Sequence, residues 1–272
     1  MNEPDSHPDS SEEVVLGIDI GGSSVKAGRV APGAGELVGA RVRMELPRRP
    51  RPGPVLDMIV GTCAREGPVS RIGCTFPGVI ERGRIRTAVN MGPEWTGLDL
   101  KSELEDRFAS AWGRRVPVVT VNDADAAGVA EVRWGAARGT AGVVLAVTLG
   151  TGIGSALFTD GTLVPNTELG HIEIGGRDAE TFAAARWRVE EDLTWEEWGS
   201  RVDLYLRRLE ALIPAELIVV GGGVSEDFPL FAPYLHPASR VVPARFRNDA
   251  GIIGAAAVAT STDPERPARP TI

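Results

Sequence analysis

One design occurs twice in this chain. GIDIGGSSVKAG at 17–28 and VTLGTGIGSALF at 147–158 both set glycines and hydroxyl side chains between runs of β-branched residues. Such runs, broken by glycine, read as a β-hairpin closed by a glycine turn. A turn built from Gly21, Gly22, Ser23 and Ser24, or from Gly150, Thr151, Gly152 and Gly154, lets successive backbone N–H groups converge on an anion with no Cβ in the way. The two units begin 130 residues apart, at 17 and 147. Two α/β halves facing each other, each presenting such a turn to the cleft between them, would hold a phosphate chain from both sides. The competing reading is a pair of unrelated hairpins whose turns happen to contain glycine.

The remaining pattern fits the doubled plan. Val- and Ile-rich runs at 14–20, 24–30 and 35–44 read as strands, followed by a proline- and arginine-rich connection, a helix near 54–65 and a buried strand at 71–76. Leu98, Leu100, Leu104 and Phe108 recur at helical spacing, and VPVVTV (116–121) is a further buried strand. The pattern restarts with strands at 143–150, 152–158 and 161–165. A helix over about 194–211 follows, with Leu204, Leu209 and Leu212 as its apolar positions. LIVV (217–220) then runs into Gly221, Gly222 and Gly223. The expected division is a disordered acidic tail (1–13), a first α/β half (14–121) and a second (122–247), with an apolar helix at 248–260 packing back on the first half.

Composition narrows the function classes. A net charge of −8 and a pI near 5.1 speak against a nucleic-acid partner. Cys63 and Cys74 are too few for a disulfide framework or a four-cysteine zinc site, so reduced thiols and a cytoplasmic location are expected. The uncharged run 141–158 is interrupted by Gly150, Gly152 and Gly154, so strand–turn–strand is favoured over a membrane span.

Three groups of residues carry candidate chemistry. Asp19 precedes the first glycine turn, where its carboxylate either holds a hydrated Mg²⁺ beside phosphates or hydrogen-bonds the turn. Neither glycine turn has the Gly-Lys-Ser/Thr of a P-loop or the strand–GxGxxG–helix order of a dinucleotide site. Asn122 and Asp123 stand where a buried strand meets an alanine-rich helix: a helix cap, or a general base at the crevice end of a strand. PNTELGHIEIGGRDAE (165–180) gathers Glu168, His171, Glu173 and Glu180, a set that suits a polyol; a metal site and a structural loop are the alternatives.

In order along the chain, GIDIGGSSVKAG, TFPGVIERGRIRTAVNMGPEW, VNDADAAG, VTLGTGIGSALF, PNTELGHIEI with a following DAE, and IVVGGGVS resemble the motifs of the ROK family of sugar kinases and repressors. The likeness is closest to its polyphosphate glucokinase branch and spans about 14–259. The resemblance implies a two-lobed, actin-like (ribonuclease H-like) α/β ATPase fold whose central cleft closes over glucose. It implies that Asp123 is the base that takes the proton of the sugar 6-hydroxyl. Asn122, Glu168, His171 and Glu180 then match sugar-binding positions, with Asn90 and the Pro77-Gly78 turn as further contacts. Asp19 with the first turn, including Lys26, and 150–154 match phosphate sites; 221–223 match a nucleotide support. Mg²⁺ is the implied cofactor, polyphosphate and ATP the implied donors, and a homodimer the family's habit. The cysteine-rich loop of zinc-bearing relatives is missing, so no zinc is expected.

One departure concerns the donor. After GGGVS the branch usually carries lysines, whereas this chain reads Glu226-Asp227; Arg48, Arg49, Arg51, Arg82, Arg84 and Arg86 would compensate if they face the cleft. The rivals are a strictly ATP-dependent hexokinase of the family and a non-catalytic sugar-binding regulator. A repressor is disfavoured because the first hairpin starts near 14, leaving no room for a helix-turn-helix.

Overall fold

A computed structural model describes residues 14–88 and 91–261. The 1–13 tail and Asn90 lie outside them.

The first sheet is built from β1 (Val15–Ile20), β2 (Ser24–Ala31), β3 (Glu36–Glu45), β4 (Arg71–Phe76) and, beyond a two-residue hairpin β5 (Ile80–Glu81) and β6 (Arg84–Ile85), β7 (Val118–Asn122). Its order is β3-β2-β1-β4-β7, antiparallel along β3-β2-β1 and parallel along β1-β4-β7. The second sheet uses β8 (Val143–Leu149), β9 (Ile153–Thr159), β10 (Thr162–Val164), β13 (Leu217–Gly221) and β14 (Arg240–Pro243), with a small hairpin β11 (Glu173–Ile174) and β12 (Arg177–Asp178) between. Its order, β10-β9-β8-β13-β14, repeats the first sheet position for position, with the same parallel and antiparallel steps. The repeated glycine motif is therefore the local sign of a duplicated five-stranded unit.

β1 and β4 read as continuous apolar runs because both faces of the first sheet are covered. On one face, α1 (Pro52–Cys63) and α2 (Leu100–Trp112) bury Leu56, Ile59, Leu104 and Phe108 against Ile18, Ile20, Ile72 and Phe76. Asp99 caps α2, its side chain accepting the Ser102 N–H at 3.0 Å. Cys63 and Cys74 are free thiols buried in this layer, and burial pushes Cys63 up to about 12.

On the other face lies α8 (Ala250–Thr260), following the short α4 (Glu180–Ala183), α5 (Ala185–Glu190), the long α6 (Trp195–Leu212) and α7 (Phe228–Phe231). A helix apolar all round must be enclosed on every side. α8 is: Ile252 packs with Val15 and Val30, while Ile253 and Ala257 pack with Ala130 and Trp134 of α3 (Asp123–Trp134). α3 in turn covers the second sheet, with its Gly128 against Ala156 and Phe158. The two helices thus form the middle of the molecule, one on each sheet.

α6 corrects one expectation. Leu209 is buried, but Leu204 and Leu212 are each 51% exposed. The covered stripe is Trp198, Val202, Tyr205, Leu206 and Leu209, packed on Leu145, Val147 and Leu149. Trp198 and Tyr205 set the orientation, and leucine spacing alone missed their larger buried area.

Candidate active site

Ligands of open α/β sheets gather outside the carboxyl ends of the strands. Here the ends of β1, β4, β7, β8 and β13 deliver, respectively, Asp19, the Pro77-Gly78 turn, Asn122 with Asp123, the 150–152 turn and Gly222. All five reach one composite hollow. Its open part, about 480 Å³, is lined by Gly22, Ser23, Gly78, Asn122, Asp123, Gly150, Thr151, Gly152, Gly154, Glu168, His171, Glu180 and Gly222. A narrower part, about 150 Å³, is lined by Asp19, Lys26, Asp123, Gly221, Gly222, Gly223, Arg247 and Asn248 among others. Asp123, Thr148 and Gly222 line both. Gly222 has φ +83, and a side chain there would run into the Leu149 backbone, so the floor between the parts requires glycine.

Two residues expected in the phosphate turn are placed otherwise. The Gly21 N–H donates to the Ser24 carbonyl at 3.0 Å, and Ser24 is buried at the start of β2; neither lines the hollow. The first turn closes on itself and presents only Gly22 and Ser23. Lys26 is paired with Asp19 at 3.3 Å, and the Thr75 hydroxyl donates to the other Asp19 oxygen at 2.9 Å. Thr75, on the neighbouring strand β4, is a support that no local sequence signal marks.

Asn122 is the helix cap of α3: its Oδ1 accepts the Asp125 N–H at 3.0 Å, and its Nδ2 donates to the Gly78 carbonyl at 3.2 Å. Capping fixes the first turn of α3 and with it Asp123. Asp123 accepts the Ala124 N–H at 2.9 Å, yet burial and then the Asp19 carboxylate raise its carboxyl to about 7. A carboxylate of that strength is poised to take a proton near neutral pH.

On the opposite wall, His171 Nδ1 lies 2.8 Å from Asp178 Oδ2, and its Nε2 lies 3.9 Å from Glu168 Oε2. The Asp178 hydrogen bond is the main cause of a raised histidine pKa, opposed by partial burial and assisted by the Asp178, Glu180 and Glu168 carboxylates. Burial raises Glu168, with His171 pulling it back. Glu180 accepts the Ile153 N–H at 2.9 Å, so it also shapes the second glycine turn. Asp178 was absent from the sequence-predicted set, although its seven-residue spacing from His171 across a hairpin is the contact that aims the ring.

Asp125 and Asn166 were also missed. Asp125 is 1% exposed and raised to about 7, chiefly by burial. Its Oδ2 accepts the Asn166 N–H at 2.7 Å, while its Oδ1 has no hydrogen-bond partner among the described residues. The Asn166 side chain copies a strand residue: Oδ1 accepts the Ile80 N–H at 3.1 Å, and Nδ2 donates to the Ile80 carbonyl at 3.0 Å. Asp125 therefore ties the helix bearing Asp123 to the loop bearing Glu168, and Asn166 ties that loop to β5. Asp125→Ala leaves the part-buried Asn166 N–H without its carboxyl partner and should cost about 1 kcal/mol or more. The isosteric Asp125→Asn keeps the acceptor. Because the folded Asp125 pKa is raised, its stabilising contribution is greatest at low pH and is lost as pH climbs through about 7. Thermal melts from pH 5 to 8 should show the Ala variant low throughout and the Asn variant holding up better than wild type at pH 8.

Among the described residues no three His, Cys, Asp or Glu side chains converge as a metal cage. Asp19 is the carboxylate that leads into the first glycine turn, and its two oxygens are engaged by Lys26 and Thr75.

The sequence model of the ROK family matches residues 15–186, more than half of the chain. The chain belongs to the ROK family. Among ROK relatives, the polyphosphate glucokinase of Mycobacterium tuberculosis (strain ATCC 25618 / H37Rv) is 40% identical over 241 residues, covering 89% of each chain. The Mycobacterium leprae (strain TN) polyphosphate glucokinase is 37% identical over 246 residues, 90% of this chain and 74% of that one. The crystal structure of the inorganic polyphosphate/ATP-glucomannokinase of Arthrobacter sp. strain KM superposes with a TM-score of 0.83 at 42% identity, covering 89% of this chain and 96% of that one. A ROK family glucokinase from Streptomyces griseus in complex with glucose and AMPPNP shares the fold, with a TM-score of 0.76 at 23% identity over 90% and 99% of the two chains. The fold of this ROK protein is the two-lobed actin-like ATPase fold.

Proposed function

We propose that this ROK protein phosphorylates the 6-hydroxyl of glucose, with inorganic polyphosphate as donor and ATP as a second donor. The observation that carries the reading is Asp123. A carboxyl raised to about 7 stands where the two parts of the hollow meet; Asn122, Glu168, His171, Glu180 and the glycine turns at 22–23 and 150–154 line the open part with it, and 221–223 line the narrower part. Relatives named for polyphosphate and glucose, at 37–42% identity over most of the chain, support the substrate and donor.

In this reading Glu168, His171, Glu180 and Asn122 accept and donate to the sugar hydroxyls, Gly78 and Asn90 completing the sugar site. Asp123 accepts the 6-hydroxyl proton as that oxygen attacks phosphorus. Backbone N–H groups of Gly22, Ser23 and 150–154 neutralise charge on the transferring group, and 221–223 support a nucleotide. Positioning and charge do most of the work in a loose phosphoryl-transfer transition state. Mg²⁺, held through water by Asp19, would add positive charge on the phosphates. The lobes divide as 14–121 and 122–247, with 248–260 returning to the first, and the enzyme works as a cytoplasmic homodimer.

Purified protein assayed with glucose, Mg²⁺ and either long-chain polyphosphate or ATP tests the donor. Polyphosphate should support turnover at least as efficiently as ATP, by kcat/KM. Turnover with ATP alone overturns the polyphosphate reading; none with either donor overturns the kinase.

A further inference from the structure

A polyphosphate of tens of units cannot fit inside a hollow of about 480 Å³, so most of the chain must leave the cleft across some part of its rim. We infer that Arg48, Arg49, Arg51 and Arg82 form a track for the distal, non-reacting part of a long polyphosphate; the inference rests on the donor reading above.

The placement comes from two anchors. The Leu46 N–H donates to the carbonyl of Ser23, a cleft-lining residue, at 2.9 Å. Four residues later the Pro50 carbonyl accepts the Trp95 Nε1–H at 2.7 Å. The Trp95 ring lies against Phe76, centroids 5.2 Å apart, and Phe76 leads directly into the cleft-lining Pro77-Gly78 turn. The 47–51 segment therefore starts beside the first glycine turn and is pinned through Pro50 to Trp95, which packs on the residue before the Pro77-Gly78 turn. Arg82 sits at the tip of the hairpin that follows Gly78.

Charge pairing selects which arginines are free to act. Arg84 is taken by the Gly97 carbonyl and Asp99, and Arg86 by Glu81. Arg48, Arg49, Arg51 and Arg82 are exposed and form no ion pair among the described residues. Three unpaired guanidinium groups on the 47–51 segment, with a fourth at the tip of the hairpin after Gly78, make a local positive field in a chain with net charge −8. Beyond Gly223 the chain exposes Glu226 and Asp227, with Arg247 on the neighbouring turn. A polyanion is thus drawn more strongly to the arginine-rich 47–51 segment than to that side. Guanidinium groups suit the task because their forked donors match phosphate oxygens. Single exposed contacts are weak, and their sum along a polyanion is strongly salt-dependent.

The test compares R48A/R49A/R51A with wild type using long-chain polyphosphate, tripolyphosphate and ATP at low and moderate salt. The KM for long-chain polyphosphate should rise about tenfold and lose much of its salt dependence, since three weak contacts together reach that factor. The KM values for tripolyphosphate, ATP and glucose should stay within about twofold, and R48K/R49K/R51K should recover most of the loss. An unchanged long-chain KM overturns the track. Equal losses with all donors also overturn it, placing the arginines at the reacting phosphate or in the loop's integrity. A wild type that ignores polyphosphate removes the donor reading and the track together, whereas a polyphosphate-using wild type with an indifferent triple variant removes the track alone.

Discussion

Asp123→Asn should lower kcat by about 10²- to 10⁴-fold while glucose KM stays within several-fold, because the substitution removes proton acceptance and keeps shape. The amide retains an oxygen for the Ala124 N–H that the carboxylate accepts at 2.9 Å, so the first turn of α3 is preserved. Glu168→Ala should behave oppositely, raising glucose KM more than it lowers kcat, since that side chain lines the hollow on the sugar side. The pH profile carries the same assignment. A base raised to about 7 is protonated and idle below that value, so kcat/KM of wild type should fall on the acid side with an apparent pKa near 7. Asp19→Asn removes the second-largest cause of the rise, so in the residual activity that limb should move to lower pH. Normal turnover in Asp123→Asn would remove the base from the mechanism.

Gly254→Ala should lower the melting temperature by roughly 10 °C, from an overpacking cost of about 3 kcal/mol in a chain of this size. A methyl at Gly254 of α8 would land on the Ala126 carbonyl of α3, a backbone atom that cannot rotate away. Both helices are backed by a sheet: the α8 backbone already lies on Gly17 and Gly73 of β1 and β4, and Gly128 of α3 faces Phe158 of β9. Activity should fall as well, because Ala126 is one turn from Asp123 on the displaced helix. Gly61→Ala supplies the control: that glycine is in α1, with nothing within 4 Å of the place a methyl would take, and alanine there should leave the melt unchanged or raise it slightly. Wild-type melting of the Gly254 variant would mean that the helices do not meet backbone to backbone.

Elements that depend on neighbours in sequence were readable before any coordinates. Strand runs such as VVLGIDI and RIGCTF, the duplicated glycine turns and the strand-to-helix junction at Asn122 are local patterns, and the structure realises them. The all-apolar stretch of α8 already demanded enclosure on every side. What escaped reading depends on distant partners. Asp125 looks like one more acid in NDADAA until burial and the Asn166 N–H show its use. Asp178 and Thr75 acquire roles only through His171 and Asp19. Gly21 and Ser24 carry the right residue types for an anion turn, but their mutual hydrogen bond turns them away from the hollow. The six arginines were indistinguishable as letters; Asp99 and Glu81 separate the bound from the free.

The close approach of Gly254 to Ala126 has a mechanical corollary. With no side chains interposed, the two central helices cannot glide lengthwise past each other without atoms colliding, but they can pivot about the point where they touch. Asp123 lies three residues from that fulcrum, about 5 Å along the helix axis, so its lever arm is short. Opening and shutting of the molecule would carry Ser23 through a wide arc while the proton acceptor, with the Glu168 loop that Asp125 ties to its helix, stays nearly still.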